Sequence, residues 1–234
     1  MGLYDRNYVQ QRSNESTYEH ARPNEGSLGV FIKQTYQLFA ASLLAASVGA
    51  YLGLSMASMI RTWYWGLVIL EFALLIGLMF AKKKAGLNLI LLFGFTFVSG
   101  LTLTPLLTSI LHMPSGASIV ANAFILTTVA FGGLSVFAMN TKRDFTTMGK
   151  MLFIALVVLV VATIIGFFFH SPVFHLIISS VSAVLFSAYV LYDTQNIIRG
   201  AYETPIEGAI ALYLDFLNIF VALLKILGIL SSDE

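Results

Sequence analysis

Four ionisable residues lie within long apolar stretches of the sequence, namely Glu71, Asp193, Asp215 and Lys225. A charged side chain near the centre of a membrane costs at least about 2.5–3.5 kcal/mol, so such residues face the protein interior and indicate function by default. Two adjacent carboxylates in a low-dielectric site cannot both ionise freely, and they share a proton near neutrality. Carboxylate oxygens are also the ligands that Ca²⁺ prefers. Asp193 and Asp215 are therefore a candidate proton sensor and calcium site.

The positions of the two aspartates on their helices predict that they meet. Asp193 lies about five residues before the end of one apolar segment, and Asp215 about eight residues into the next. At 1.5 Å per residue these are depths of roughly 8 and 12 Å, so antiparallel helices bring both carboxylates to a similar depth. Alternatively, each aspartate only cross-links helices through neighbouring Tyr and Asn side chains. A stripe of small and polar residues recurs at steps of three and four on the last segment, which predicts that it faces the bundle centre: Gly208, Ala211, Asp215, Asn218 and Ala222.

Glu71 and Lys82 occupy one face of another segment, because eleven residues correspond to three helical turns. Lys82 is a candidate counter-ion or gate for the aspartate pair, and Glu71 a candidate for the continuation of an ion path. The alternative for Lys82 is that it belongs to a run of three lysines that set the membrane orientation and extend to the head groups. Lys225, near the end of the last segment, is expected to extend to the interface in the same way.

The composition indicates which kind of secondary structure positions these residues. Of 234 residues, 58% are hydrophobic and 11% charged, with a mean hydropathy of +0.84, against about 45–50% apolar and about 25% charged in soluble domains. The chain therefore belongs in a membrane, where helices satisfy their own backbone hydrogen bonds. Seven apolar segments are long enough to cross it: 31–54, 64–81, 87–111, 117–139, 151–169, 173–198 and 207–230.

The distribution of basic residues predicts the orientation. A cytoplasmic N-terminus places eleven of the 13 Lys and Arg residues inside and Arg61 alone in an outer loop, as the positive-inside rule requires. Residues 1–28 are polar and predict a flexible cytoplasmic tail, followed by a single seven-helix domain over residues 29–234. The eleven inner residues are Arg6, Arg12, Arg22, Lys33, Lys82, Lys83, Lys84, Lys142, Arg143, Lys150 and Arg199.

Several classes of chemistry are disfavoured. The absence of cysteine excludes disulfides and thiolate metal sites, and His170 with His175 lacks a third ligand at a metal spacing. No glycine-rich phosphate loop or nucleic-acid-binding stripe is present. An intramembrane aspartyl protease is disfavoured because Asp215 follows Leu-Tyr-Leu rather than Gly-x-Gly. We expect neither an enzyme nor a protein with a resident cofactor.

Five sequence segments together resemble the transmembrane Bax inhibitor motif family, in its bacterial branch. The resemblance covers nearly everything from about residue 28 to the end, and its order and spacing are more specific than any one segment. The segments are Ser99 to Pro105 (SGLTLTP), the run 121–131, Thr141 to Phe145 (TKRDF), Tyr192 to Gln195 (YDTQ) and Leu212 to Asn218 (LYLDFLN).

The resemblance implies six helices wrapped around a central seventh, and a pH-sensitive Ca²⁺ leak in a bacterial inner membrane. Asp193 and Asp215 match the family's aspartate pair, and Glu71 matches an acidic residue on the second span. Lys82 stands where the family's bacterial example has Arg, and it lacks bidentate geometry. The alternative function is a regulator of membrane-protein quality control that engages an ATP-dependent membrane protease through its tail. The leak requires the aspartates, whereas the regulator requires residues 1–28.

Overall fold

The computed structural model describes residues 25–166, 168 and 171–232, and all regular elements in this part of the chain are helices. Seven spans are long and apolar enough to cross a membrane, the third being formed by two consecutive helices. The prediction of an all-α, seven-span membrane protein is confirmed. The helices are α1 (Glu25–Ser55), α2 (Ala57–Ala81), α3 (Leu87–Thr102), α4 (Thr104–Leu111), α5 (Gly116–Asn140), α6 (Gly149–Gly166), α7 (Pro172–Ile198) and α8 (Pro205–Ser232), with a short 3₁₀ helix at Thr146–Met148 before α6.

Two helices begin earlier than the apolar segments that predicted them. α1 begins at Glu25 and α2 at Ala57, where residues 31 and 64 were expected. Hydropathy marks only the part of a helix that lies in the apolar layer, whereas backbone hydrogen bonds continue the helix beyond it. The predicted tail thus overlaps α1 at residues 25–28, and its residues 1–24 lie outside the described residues. Residues 167, 169 and 170, at the expected end of the fifth span, also lie outside them.

The last helix, α8, lies at the centre of the bundle. It packs against α1, α3, α5 and α7, and its core side chains, such as Ala209, Leu212 and Tyr213, are fully buried. α2 packs on α3, and α6 packs on α7. Side chains on their outer faces, including Ile69, Phe80 and Val158, are exposed, as expected of surfaces that contact lipid. A central α8 carries Asp215 away from the lipid.

α1 and α3 approach each other closely because glycines face each other across their contact. A Cβ atom at Gly49 would collide with the carbonyl oxygen of Phe97, and one at Gly100 with that of Ala46. Small residues permit this approach in membranes, where packing rather than water exclusion drives helix association. The contact holds α3, and with it Ser99 and Thr102, at a fixed position beside α8.

The short connection between α7 and α8 determines how the aspartates meet. Gly200 has a φ of 67°, a conformation that costs glycine little. It lies within a C-terminal cap in which the N–H of Ala201 donates to the carbonyl of Asn196 at 2.8 Å. Pro205 then begins α8, and proline suits the first turn of a helix. The two helices run antiparallel in extensive contact.

The predicted orientation is testable because the chain has no native cysteine. We expect a cysteine introduced at Ser27 or Thr146 to resist an impermeant thiol reagent added to intact cells, and one at Ser115 to react. Thr146 lies at the end of the bundle that carries Arg143 and Arg199, and Ser115 at the opposite end. Permeabilised cells provide the control for reactivity. Labelling at Ser27 in intact cells together with protection at Ser115 would reverse the orientation.

Candidate functional site

Asp193 on α7 and Asp215 on α8 lie side by side in the interior. Their residues are 5% and 3% exposed, and their carboxyl groups are within hydrogen-bonding distance of each other. Such a bond requires a proton on one of the two carboxyls, because two carboxylates only accept. No N–H or O–H group in the described part of the chain donates to Asp215 Oδ2. The geometry thus allows the two carboxyls to share one proton.

Tyr202, in the connection between α7 and α8, completes the site. Its hydroxyl donates to Asp193 Oδ1 at 2.6 Å. Burial raises the pKa of Tyr202, and the adjacent Asp193 raises it further. Tyr202 therefore stays a neutral hydrogen-bond donor over the physiological range and stabilises negative charge on Asp193.

The end of α7 that carries Asp193 is fixed by polar contacts to a neighbouring loop. Gln195 Nε2 donates to the carbonyl of Arg143 at 2.7 Å, and Gln195 Oε1 accepts from the N–H of Phe145 at 2.6 Å. Arg199 Nη1 lies 2.9 Å from Asp144 Oδ2, and this contact lowers the pKa of Asp144 to about 2. The two Gln195 contacts, which are buried more deeply than the exposed Arg199–Asp144 pair, hold the segment around Asp193 in place. They also give a structural role to the motif segments 141–145 and 192–195.

Glu71 lies in a second polar cluster that reaches α8 through α3. Glu71 Oε2 accepts a hydrogen bond from the hydroxyl of Thr102 at 2.7 Å, and the same hydroxyl lies 2.9 Å from the carbonyl of Ser99. The Ser99 hydroxyl is hydrogen bonded to the hydroxyl of Tyr213. Polar groups thus continue from Glu71 to Tyr213, two residues before Asp215.

Lys82 lies in an ion-pair cluster at the start of α8, which we call the latch: Lys82, Lys83, Glu203 and Glu207. Lys82 Nζ lies 2.5 Å from Glu207 Oε1 and 3.2 Å from Glu203 Oε2, and Lys83 Nζ lies 2.9 Å from Glu203 Oε2. Hydrogen bonds to Glu207 and Glu203 raise the pKa of Lys82, and hydrogen bonds from Lys83 and Lys82 lower that of Glu203. The latch ties the end of α2 to the start of α8.

The structure therefore brings Asp193 and Asp215 together, places Glu71 in a separate cluster and gives Lys82 two glutamates as partners. Within the described residues, Lys82 forms no ion pair with either aspartate. Sequence reasoning missed Tyr202, Glu203 and Glu207. The sequence could have indicated them, because Tyr202 precedes two acidic residues that are four positions apart. These residues lie in a loop on the same predicted membrane side as the Lys82–Lys84 run.

The described residues contain no group of three or more His, Asp and Glu side chains that could hold a metal ion. The aspartate pair alone offers two carboxylates, and Ca²⁺ takes six to eight oxygens.

The chain matches known proteins over most of its length. The family model described as inhibitor of apoptosis-promoting Bax1 matches residues 28–232, a range that includes every residue of the site and of the latch. Relatives include an uncharacterized protein of Campylobacter jejuni, 61% identical over 99% of this chain and all of the relative. Protein lifeguard 4 of Mus musculus is 34% identical over 84% of each chain. A Golgi anti-apoptotic protein of vaccinia virus is 33% identical over 85% of each.

Proposed function

The chain belongs to the Bax inhibitor-like family of membrane proteins, and from that premise we propose that it is a pH-sensitive cation leak channel that conducts Ca²⁺ and is gated by the aspartate pair. It acts as a channel rather than an enzyme, with Ca²⁺ as its cargo. Its partners are the lipid bilayer and the calcium ion. As an N-terminus-inside protein of a bacterial inner membrane, it would have the latch at its cytoplasmic end.

The observation that carries this proposal is the pair of buried carboxyl groups within hydrogen-bonding distance, one oxygen of which lacks a donor. A structural cross-link would pair each carboxylate with donors, because an unpaired buried charge is costly. The pair is instead stable only with a bound proton or cation. Release of the proton leaves two negative charges, which attract Ca²⁺.

The connection between α7 and α8 carries groups of both the aspartate site and the latch. Tyr202 donates to Asp193, and the next residue, Glu203, pairs with Lys82 and Lys83. Glu207 Oε2 accepts from the N–H groups of Glu203 and Thr204 at 2.8 and 3.2 Å. A proton on Asp193 weakens the hydrogen bond from Tyr202, since a neutral carboxyl is a poorer acceptor than a carboxylate. That change acts on the short loop, while the ion pairs of the latch remain formed.

The cluster around Glu71 provides further polar groups for an ion path through the protein. Glu71, Thr102 and Tyr213 offer oxygen atoms along α2, α3 and α8. In lipid, an ionisable residue such as Glu71 is retained where it serves an ion or proton pathway. We assign Glu71 to the ion path on that basis.

Purified protein in Ca²⁺-loaded liposomes tests the proposal and separates it from the alternative. We expect Ca²⁺ release that varies with pH between 5 and 8, and the same release after deletion of residues 1–24. The deletion removes only residues that precede α1 and leaves the site intact. Liposomes without protein and liposomes with the double variant Asp193→Asn/Asp215→Asn are the controls.

Absent release would contradict the channel function, and release that is independent of pH would contradict gating by the aspartate pair. A tail deletion that abolishes a cellular phenotype while leaving release unchanged would support the alternative, a regulator of membrane-protein quality control that engages a membrane protease. The size-exclusion profile of each preparation checks that the protein remains folded.

A further inference from the structure

Two cavities meet at Lys225, in the half of α8 distant from the latch. One, of about 430 Å³, lies between α6, α7 and α8. The other, of about 520 Å³, lies between the ends of α4, α7 and α8 and is lined by Met113, Pro172 and His175 near the surface. Lys225 lines both. The two cavities share Lys225 as a lining residue, and together, as one recess, they extend from the surface opposite the latch toward the middle of the bundle.

The α7 residues that line this recess lie on one face of the helix, and the same face carries Asp193. Residues at alternating steps of four and three lie on one face of a helix, and the stripe is His175, Ser179, Ser182, Phe186, Tyr189 and Asp193. The first four of these residues line the two cavities. On α8 the lining residues Asn218, Lys225 and Gly228 face it. The recess therefore points toward Asp193 and Asp215.

The inner end of the recess is closed by aromatic rings. Phe186 lines the cavity, and its ring centroid lies 5.8 Å from that of Tyr189. Tyr189 is one helical turn before Asp193. Phe186 is the last α7 residue that lines the recess, and about two helical turns separate it from Asp193.

Polar groups make the recess suitable for water. Ser179, Ser182, Thr163 and Asn218 all line it, although most residues of the surrounding span are apolar. Lys225 has no ion-pair or hydrogen-bond partner among residues 25–166, 168 and 171–232. Lys225 is exposed, and an ammonium group within a membrane span is stabilised by water, by an anion or by the head groups.

We infer that this recess is the outer aqueous vestibule of the protein and that Lys225 is its selectivity-determining residue. A fixed positive charge where the two cavities meet lowers the local concentration of cations and raises that of anions. The repulsion is greater for a divalent than for a monovalent cation, so Lys225 limits Ca²⁺ entry from this side. The role in Ca²⁺ entry rests on the proposed leak, whereas the vestibule and its charge do not.

Cysteine accessibility tests the vestibule without any flux measurement. We expect Ser182→Cys to react with water-soluble thiosulfonates added from the outer side, and Val181→Cys to be protected. The two positions lie at almost the same depth, but Ser182 lines the cavity whereas Val181 is 52% exposed and would contact lipid. Ser115→Cys is the positive control for the outer side. An unreactive Ser182→Cys beside a reactive Ser115→Cys would overturn the vestibule.

Reagents of opposite charge test the role of Lys225. We expect Lys225→Gln to lower the ratio of anionic to cationic labelling rates at Ser182→Cys by at least about twofold, the size expected of one charge in a partly solvated site. Lys225→Arg keeps the charge and should keep the ratio, which separates charge from misfolding. An unchanged ratio in a folded Lys225→Gln protein would exclude an electrostatic role.

The same variant reports on ion selectivity in liposomes. We expect Lys225→Gln to raise Ca²⁺ release relative to K⁺ release at every pH. If the labelling ratio shifts while even the wild type releases no Ca²⁺, the proposed leak fails and the charged vestibule stands. If Ca²⁺ release is present but Lys225→Gln changes neither the ratio nor the release, the leak stands and the role of Lys225 is wrong.

Discussion

Asp193→Asn and Asp215→Asn should each flatten the pH dependence of Ca²⁺ release between pH 5 and 8. In the proposed gate the two carboxyls share one proton, and a site that binds one proton with a midpoint in this window changes its protonated fraction by roughly tenfold or more across it. An asparagine neither titrates nor carries charge. Each variant should therefore vary less than about twofold over the same range.

The two single variants need not change the level of release in the same direction. Removal of one carboxyl ends the repulsion that made the pair share a proton, and the survivor then ionises more readily. Negative charge attracts Ca²⁺, whereas a proton on Asp193 weakens the contact with Tyr202. The double variant should resemble the more severe single variant, because residues that act as one site are not additive.

Asp144→Asn is a matched control for these variants. It makes the same chemical change at an exposed carboxylate that is paired with Arg199. Because that contact lowers the pKa of Asp144 to about 2, the group is ionised throughout the range from pH 5 to 8. The control should keep the wild-type profile. If both Asn variants at the pair also keep it, the pair is structural and the proposed gate is lost.

Lys82→Gln should raise Ca²⁺ release by a nearly constant factor from pH 5 to 8. The variant removes the cation that ties the end of α2 to Glu203 and Glu207, and so weakens the closure of that end of the bundle. We expect an increase of about two- to fivefold, which matches the modest strength of solvated ion pairs. Release would be measured in liposomes at low and high salt, because screening should reduce the effect.

The pH independence of this factor follows from the direction of the pKa shifts. Glu203 has a pKa below its ordinary 4.5, so its contribution is present above that value and is lost only as pH falls through the lowered pKa. Lys82 has a pKa above its ordinary 10.5, so its contribution is present below that value and is lost only as pH rises through the raised pKa. Between pH 5 and 8 both remain charged. We therefore expect the latch to set the level of release and the aspartates to set its pH dependence.

Lys84→Gln and Glu207→Gln provide the comparisons for the latch. Lys84 is exposed, and its loss should leave release unchanged although the net charge changes equally. Glu207→Gln removes the closest partner of Lys82 and should increase release, and combining it with Lys82→Gln should add little. A Lys82→Gln variant with flattened pH dependence would show instead that Lys82 acts directly on the aspartate pair.

Several features of this protein follow from its sequence because they depend on residue type and period alone. Apolar segments of about 20 residues must become helices in lipid, since no other single segment satisfies its backbone there. The depth of Asp193 and Asp215 follows from a fixed rise per residue and from antiparallel neighbours joined by a short loop. The interior position of α8 was visible in its stripe of small and polar residues, and the structure places it there.

Only the tertiary structure decided which charged groups meet. Lys82 was a candidate partner of the aspartates, yet it pairs with Glu203 and Glu207, because the loop after Gly200 brings those acids beside the end of α2. The hydroxyl that donates a hydrogen bond to Asp193 belongs to Tyr202, in that same loop. Loop geometry depends on a few backbone angles and on contacts between distant segments, which hydropathy and spacing do not encode. Likewise, Lys225 was expected only to extend to the interface, and its place between two cavities follows from the separation of α6 from α8.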